Sequence, residues 1–136
     1  YLGPKNISIE NPFEAAGAYG ASVIQKLLKE GDWGTGDYRI FYNINFPPVP
    51  SQKVKGSKIS SQGFRQNTSF GVEPHISPGG RKFLWIKGGA QDVPTAKNTD
   101  AAANLDGYIS VTPMKTDLTD YNTLNHLQKL FEPNDT

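Results

Sequence analysis

Two histidines, His75 and His126, and thirteen carboxylates are the groups in this 136-residue sequence able to shuttle protons or hold a metal. Their spacing does not gather them. His75 falls in a strand-like stretch and His126 in a helical one, both at positions that suit solvent. Hard cations need carboxylates converging from adjacent elements. The nearest set, Asp92, Asp100, Asp106, Asp117 and Asp120, contains no Asp-x-Asp pair. With no cysteine in the chain, disulfides, thiolate nucleophiles and Cys-based zinc sites are excluded together. A nucleophile elbow, a phosphate loop, a zincin helix and a dinucleotide fingerprint are all missing. Gly34-Thr35-Gly36 is a turn: no Lys-Ser/Thr follows it, and it precedes a strand. These residues do not by themselves specify an enzyme.

Charge offers a second chemistry. Between 53 and 87, Lys53, Lys55, Lys58, Arg65, Arg81, Lys82 and Lys87 stand against the single Glu73. Residues 117–136 hold four acidic groups and one lysine. Lysine on an exposed strand guards the edge against stray pairing. The same lysines beside Phe70, Phe83 and Trp85 would suit phosphate contact and base stacking. Apolar residues on both faces of one hairpin more commonly serve an oligomer contact.

The elements that must position these groups follow from pattern. With 36% hydrophobic and 20% charged residues and a net charge of +1, one domain with a core is expected. A globally basic nucleic-acid binder is not. No apolar run reaches the roughly 18 residues of a membrane span, and no signal peptide opens the chain. The sequence starts at Tyr1 and soon reaches a helix, which predicts a piece of something longer. That helix is expected over 11–30, with Asn11 as cap, Pro12 in first position and Glu14 completing an approximate capping box. Phe13, Ala16, Gly20, Val23, Ile24, Leu27 and Leu28 make its stripe, and Gly31 its stop.

Residues 38–46 read as a strand with Ile40, Tyr42, Ile44 and Phe46 on one face. Residues 55–61 form a weaker strand, and 70–76 with 81–87 a hairpin around Ser77-Pro78-Gly79-Gly80. After a long loop over 88–99, Thr99 or Asp100 caps a short helix through Ala101, Ala102 and Ala103. A strand over 108–112 is expected to stop at Pro113. The last helix begins near Thr119, carries Tyr121, Leu124, Leu127 and Leu130 or Phe131 as its stripe, and closes at Pro133.

Four segments carry a resemblance. They are Asn43-Ile44-Asn45-Phe46-Pro47; Lys55-Gly56-Ser57-Lys58-Ile59 followed by Gln62-Gly63; Trp85-Ile86-Lys87-Gly88-Gly89; and Thr99-Asp100 through Gly107-Tyr108-Ile109-Ser110-Val111-Thr112-Pro113 to Asp117-Leu118-Thr119. In that order they resemble the C-terminal half of the SurE survival-protein family, divalent-metal-dependent 5'/3'-nucleotidases. The resemblance implies an α/β fold class: the C-terminal part of a SurE-like Rossmann-type fold with a projecting β-hairpin and a C-terminal helix. Residues 1–52 would give a helix and strand of the α/β layer, 53–98 the hairpin and loop, and 99–136 a strand and helical tail. The family's metal-binding and phosphate-binding residues lie in its N-terminal half, absent here.

The resemblance further implies a phosphatase that hydrolyses nucleoside monophosphates with Mg or Mn in the complete enzyme. This chain would supply sheet completion and assembly surfaces, contribute no catalytic residue or metal ligand, and be inactive alone. Thr99 and Asp100 would be substrate-binding residues at the mouth of the site, against the plainer reading as a helix cap. A cytoplasmic homodimer or homotetramer is implied, assembled through hairpin 70–87 and tail 117–136, with Asp117 bracing the tail. A non-catalytic assembly or binding module is the alternative. Two departures stand out: Asn98-Thr99-Asp100 replaces the family's usual Gly-Thr-Asp, and Tyr121 stands where many relatives have a histidine.

Overall fold

The structure, a computed structural model, describes residues 10–66, 70–89 and 92–132. Helix α1 spans Glu14–Glu30 and strand β1 Ile40–Asn45. After a short 3-10 turn at Ser51–Lys53 come β2 (Ser57–Ile59), β3 (Gly71–Ile76) and β4 (Lys82–Lys87). Helix α2 (Asp100–Leu105), β5 (Ile109–Lys115) and helix α3 (Tyr121–Phe131) complete the order.

Strand β5 organises the fold. It lies between β1, antiparallel with Asn43 opposite Thr112, and β2, parallel with Ile59 opposite Val111. Its first four residues, Ile109, Ser110, Val111 and Thr112, are all buried, so both faces are covered there. Among the described residues Ala15, Pro47, Ala101, Ala103, Ile109 and Val111 are buried apolar side chains. Ser60, Thr99, Ser110 and Thr112 are buried beside them. Burying a hydroxyl is costly without a hydrogen bond. Ser60 Oγ and Thr112 Oγ1 solve this mutually at 2.8 Å, whereas Ser110 Oγ has no partner among the described residues.

Pro113 does not end β5, contrary to the sequence expectation. Ile109 N–H donates to Gly56 O, and Val111 O accepts from Ser60 N–H. Odd-numbered residues of β5 therefore turn their backbone groups toward β2, which has ended before Pro113 is reached. The N–H that proline lacks would have pointed at no strand, and a proline is tolerated in that setting.

Helix α1 starts later than expected. Asn11 Oδ1 accepts from Phe13 N–H and so closes a preceding turn, leaving Phe13 at the N-cap position without a side-chain cap. Glu14 does not reach back along its own helix. Its Oε1 accepts from Ser51 N–H at 2.9 Å and Ser51 Oγ–H at 2.6 Å, tying α1 to the 3-10 turn. Four residues of the expected stripe, Ala16, Gly20, Val23 and Leu27, are half-buried beside the buried Ala15, while Phe13, Ile24 and Leu28 face solvent.

The hairpin forms as expected, with β3 and β4 antiparallel and His75 opposite Phe83. Gly80 takes φ 78° in the turn, a conformation open to glycine. One face carries Glu73, His75, Phe83 and Trp85; the other Val72, Pro74, Leu84 and Ile86. Trp85 is 60% and Leu84 70% exposed. Helix α3 begins at Tyr121 rather than Thr119, and its stripe of Tyr121, Leu124, Leu127, Leu130 and Phe131 is likewise exposed. The expected stop at Pro133 lies outside the described residues. Among the described residues no helix is long and apolar enough to cross a membrane.

The two buried hydroxyls of β5 separate in a denaturation test. Thr112→Val strands Ser60 Oγ in the interior and is expected to cost the chain about 1–3 kcal/mol. Ser110→Ala removes an unpaired buried hydroxyl and is expected to leave the urea midpoint unchanged or raised.

Candidate functional site

Beyond the end of β2 the chain pairs once more before leaving the sheet. Ser61 N–H donates to Asn98 O and Ser61 O accepts from Asp100 N–H, making a parallel bridge between Ser61 and Thr99. Asn98 bends into this bridge with φ 65°, a left-handed conformation asparagine tolerates better than most residues. This is where the chain replaces the glycine of the resembling family.

Thr99 caps α2. Its Oγ1 accepts from Ala102 N–H at 3.3 Å, donates to Ala96 O at 2.7 Å and lies 2.8 Å from Thr95 Oγ1. A hydroxyl has one donor and two acceptor positions, so these three partners occupy it fully. Thr99 is also buried. Asp100 works across the gap: its Oδ1 accepts from Gly63 N–H at 2.8 Å and from Ala101 N–H at 2.7 Å. Gly63 is matched to this contact. A Cβ there would lie 2.8 Å from Asp100 Oδ1 and 3.1 Å from Thr99 Cβ. The structure thus gives both sequence-selected residues inward tasks, and through them fixes the segment 61–64 that follows β2.

Sequence reasoning did not find Gly63 as the partner of Asp100, although Gln62-Gly63 was part of the resemblance. The two are 37 residues apart, beyond any local pattern. It also missed the Ser60–Thr112 pair and the ammonium of Lys58, 3.9 Å from the Tyr108 ring centroid, a cation–π geometry. The other expected groups stay apart. His75 stacks on Phe83 with centroids 5.7 Å apart, and His126 is exposed on α3. Trp33 packs edge-on against Tyr42 at 5.2 Å. No group of three His, Cys, Asp or Glu able to hold a metal ion occurs among the described residues.

Asp117 and Asp120 organise the approach to α3. Asp117 accepts from Tyr121 Oη–H at 2.6 Å and from Thr119 N–H at 3.0 Å. Its carboxyl is held below the ordinary aspartate range, chiefly by the Tyr121 hydroxyl. The same bond raises the Tyr121 phenol. Asp120 caps α3, accepting from Thr123 Oγ1–H, Asn122 N–H and Thr123 N–H, and is lowered chiefly by the Thr123 hydroxyl.

The chain is similar to proteins named 5'-nucleotidase SurE. It is 56% identical over 130 residues to the protein of Cereibacter sphaeroides strain ATCC 17025, covering 96% of this chain and 50% of that protein. With the Ruegeria pomeroyi protein it shares 54% over 128 residues, 94% of this chain and 49% of the relative. The crystal structure of the SurE protein from Aquifex aeolicus superposes with a TM-score of 0.61 at 31% identity, over 91% of this chain and 47% of that one. No protein-family model matches. The likeness is therefore to SurE proteins, in sequence and in fold, and the chain spans about half the length of the curated relatives it matches.

The lowered carboxyls set a pH dependence. Both aspartates titrate below their unfolded value of about 4, so their support of the α3 N-terminus is complete above that value and lost as pH falls through the lower, folded one. An NMR pH titration is expected to show the Asp117 and Asp120 midpoints lower in the folded chain than in the urea-unfolded chain, with the Thr119 and Asn122 amide shifts following them.

Proposed function

We propose that this SurE-like chain is the sheet-completing and assembly portion of a divalent-metal-dependent 5'/3'-nucleotidase, a hydrolase of nucleoside monophosphates. The observation that carries this reading is the 56% identity to a SurE 5'-nucleotidase over 96% of the chain. The architecture supports it. Phe13, Ile24, Leu28, Ile59 and the hairpin side chains Leu84, Trp85 and Ile86 are exposed, and a larger assembly would cover them. In this reading residues 1–52 and 99–136 join a larger α/β layer, and 53–98 projects from it.

The chemistry divides accordingly. A divalent metal, held by residues outside this chain, would supply the Lewis acidity for phosphate-ester hydrolysis. The contribution of this chain is placement. Thr99 and Asp100 would be substrate-binding residues at the mouth of the site; within the fold the first anchors α2 and the second holds the 61–64 segment. The basic hairpin and the acidic tail provide the contacts of a homodimer or homotetramer, and a cytoplasmic location follows the family resemblance.

Hydrolysis of p-nitrophenyl phosphate with Mn²⁺ tests this division. The 136-residue chain alone is expected to show no turnover. A hybrid in which it is joined to the uncovered half of the Cereibacter sphaeroides relative is expected to be active. Turnover by the chain alone, or an inactive folded hybrid, overturns the proposal.

A further inference from the structure

Resting on the nucleotidase reading, which gives this chain the task of completing a sheet, we infer that the free edge of β1 is the seam with the other half of the protein. The edge takes up one apolar strand of that half, parallel to β1. Where the backbone groups go shows the seam. Ile109 and Val111 turn theirs toward β2, so Ser110, Thr112 and Met114 turn theirs toward Asn45, Asn43 and Phe41 of β1. Alternation along the strand then sends the N–H and C=O of Ile40, Tyr42 and Ile44 to the opposite side. Ile40 N–H donates to Trp33 O there at 3.1 Å. Among the described residues no strand lies on that side of β1, and the outward N–H and C=O of Tyr42 and Ile44 have no backbone partner. Both residues are half-buried, a setting in which unpaired amides are costly.

The sheet has a second free edge, and the two are built differently. β2 is three residues long, exposed throughout and carries Lys58. Shortness and lysine are the devices by which proteins blunt an edge against pairing. β1 reads Ile-Phe-Tyr-Asn-Ile-Asn, six residues with neither charge nor proline. An edge of that kind left open invites aggregation; it suits a strand that is meant to be paired.

Direction follows from α1, which leads into β1 and lies against its Tyr42 and Phe46 face. A Cβ on Gly20 would stand 3.9 Å from the Phe46 ring. The Tyr42 hydroxyl donates to Asp32 O, and Trp33, whose indole N–H donates to Leu27 O, packs on the Tyr42 ring. A helix that crosses a sheet face into a strand is the second part of a βαβ unit, and the first strand of such a unit runs parallel to the second. A strand inside an α/β layer is covered on both faces and reads as a run of Val, Ile and Leu. The partner is therefore an apolar, β-branched strand of about five residues, its carbonyls facing the Tyr42 and Ile44 amides.

Amide hydrogen exchange on the folded hybrid described above, read by NMR, tests this without recourse to activity. The Tyr42 and Ile44 amides are expected to exchange as slowly as those of Phe41 and Asn43, which face β5, and to stay slow on dilution. The Ser57 and Ile59 amides, on the free edge of β2, are expected to exchange fast. Fast exchange at Tyr42 and Ile44 overturns the inference; so does protection that fades on dilution, which assigns the edge to a second copy. Proline substitution gives an independent readout. Ile44→Pro deletes an N–H that β5 does not use and is expected to lower the thermal midpoint about 2–4 °C beyond Ile44→Ala. On the β2 edge, Ile59→Pro is expected to stay level with Ile59→Ala, and equal differences at the two sites count against the seam. An inactive hybrid with Tyr42 and Ile44 protected overturns the nucleotidase reading and leaves the seam standing; an active hybrid with both amides unprotected does the reverse.

Discussion

The parallel pairing of β2 with β5 is the contact on which the remainder depends. β2 has three residues, all exposed, and little apolar content to hold it. Its position is set by backbone bonds at both ends, Ile109 N–H to Gly56 O and Ser60 N–H to Val111 O, and by the buried Ser60–Thr112 hydroxyl pair. A register slip of one residue would carry Ser60 off that face and leave Thr112 unsatisfied in the interior. Because β2 is fixed, the segment after it is fixed. The Ser61–Thr99 bridge, the cap on α2 and the Asp100–Gly63 bond all extend the same ladder.

A core so small and hydroxylated gives the fold its openness. Among the described residues three of the buried apolar side chains are alanine, so backbones approach closely and little aliphatic area is hidden. Large side chains instead lie on α1, the hairpin and α3. The hairpin divides them by chemistry: rings and charges on one face, aliphatic groups on the other. Glu73 belongs to the first face and pairs with Lys87 at 2.8 Å, which depresses its carboxyl. That pair is exposed, and its worth to stability is correspondingly slight.

What the sequence made legible was local. Ser77-Pro78-Gly79-Gly80 specified a turn and hence a hairpin register, and Thr99 or Asp100 a helix start, which Thr99 takes, because both signals act within four residues. The misreadings came from competition or distance. Asn11, Asp117 and Asp120 are all capable caps; Asp120 takes α3 because its carboxylate reaches Asn122 and Thr123, while Asp117 is engaged by Thr119 and Tyr121. Pro113 broke the expected strand only because the rule against strand proline assumes a neighbour on the N–H side. The site was legible as residue types and illegible as geometry. Nothing within reach of Asp100 in sequence announces Gly63.

Thr99 and Asp100 spend their polar atoms on the fold. A residue that touches a ligand directly must keep some hydrogen-bonding capacity unspent, and Thr99 has none left. A residue that fixes a loop must do the opposite. Function on α/β scaffolds resides in loops held by rigid elements, and a site built that way is only as accurate as its supporting bonds. Asp100 ties the loop after β2 to the start of α2, and α2 is anchored to β5 through buried Ala101 and Ala103.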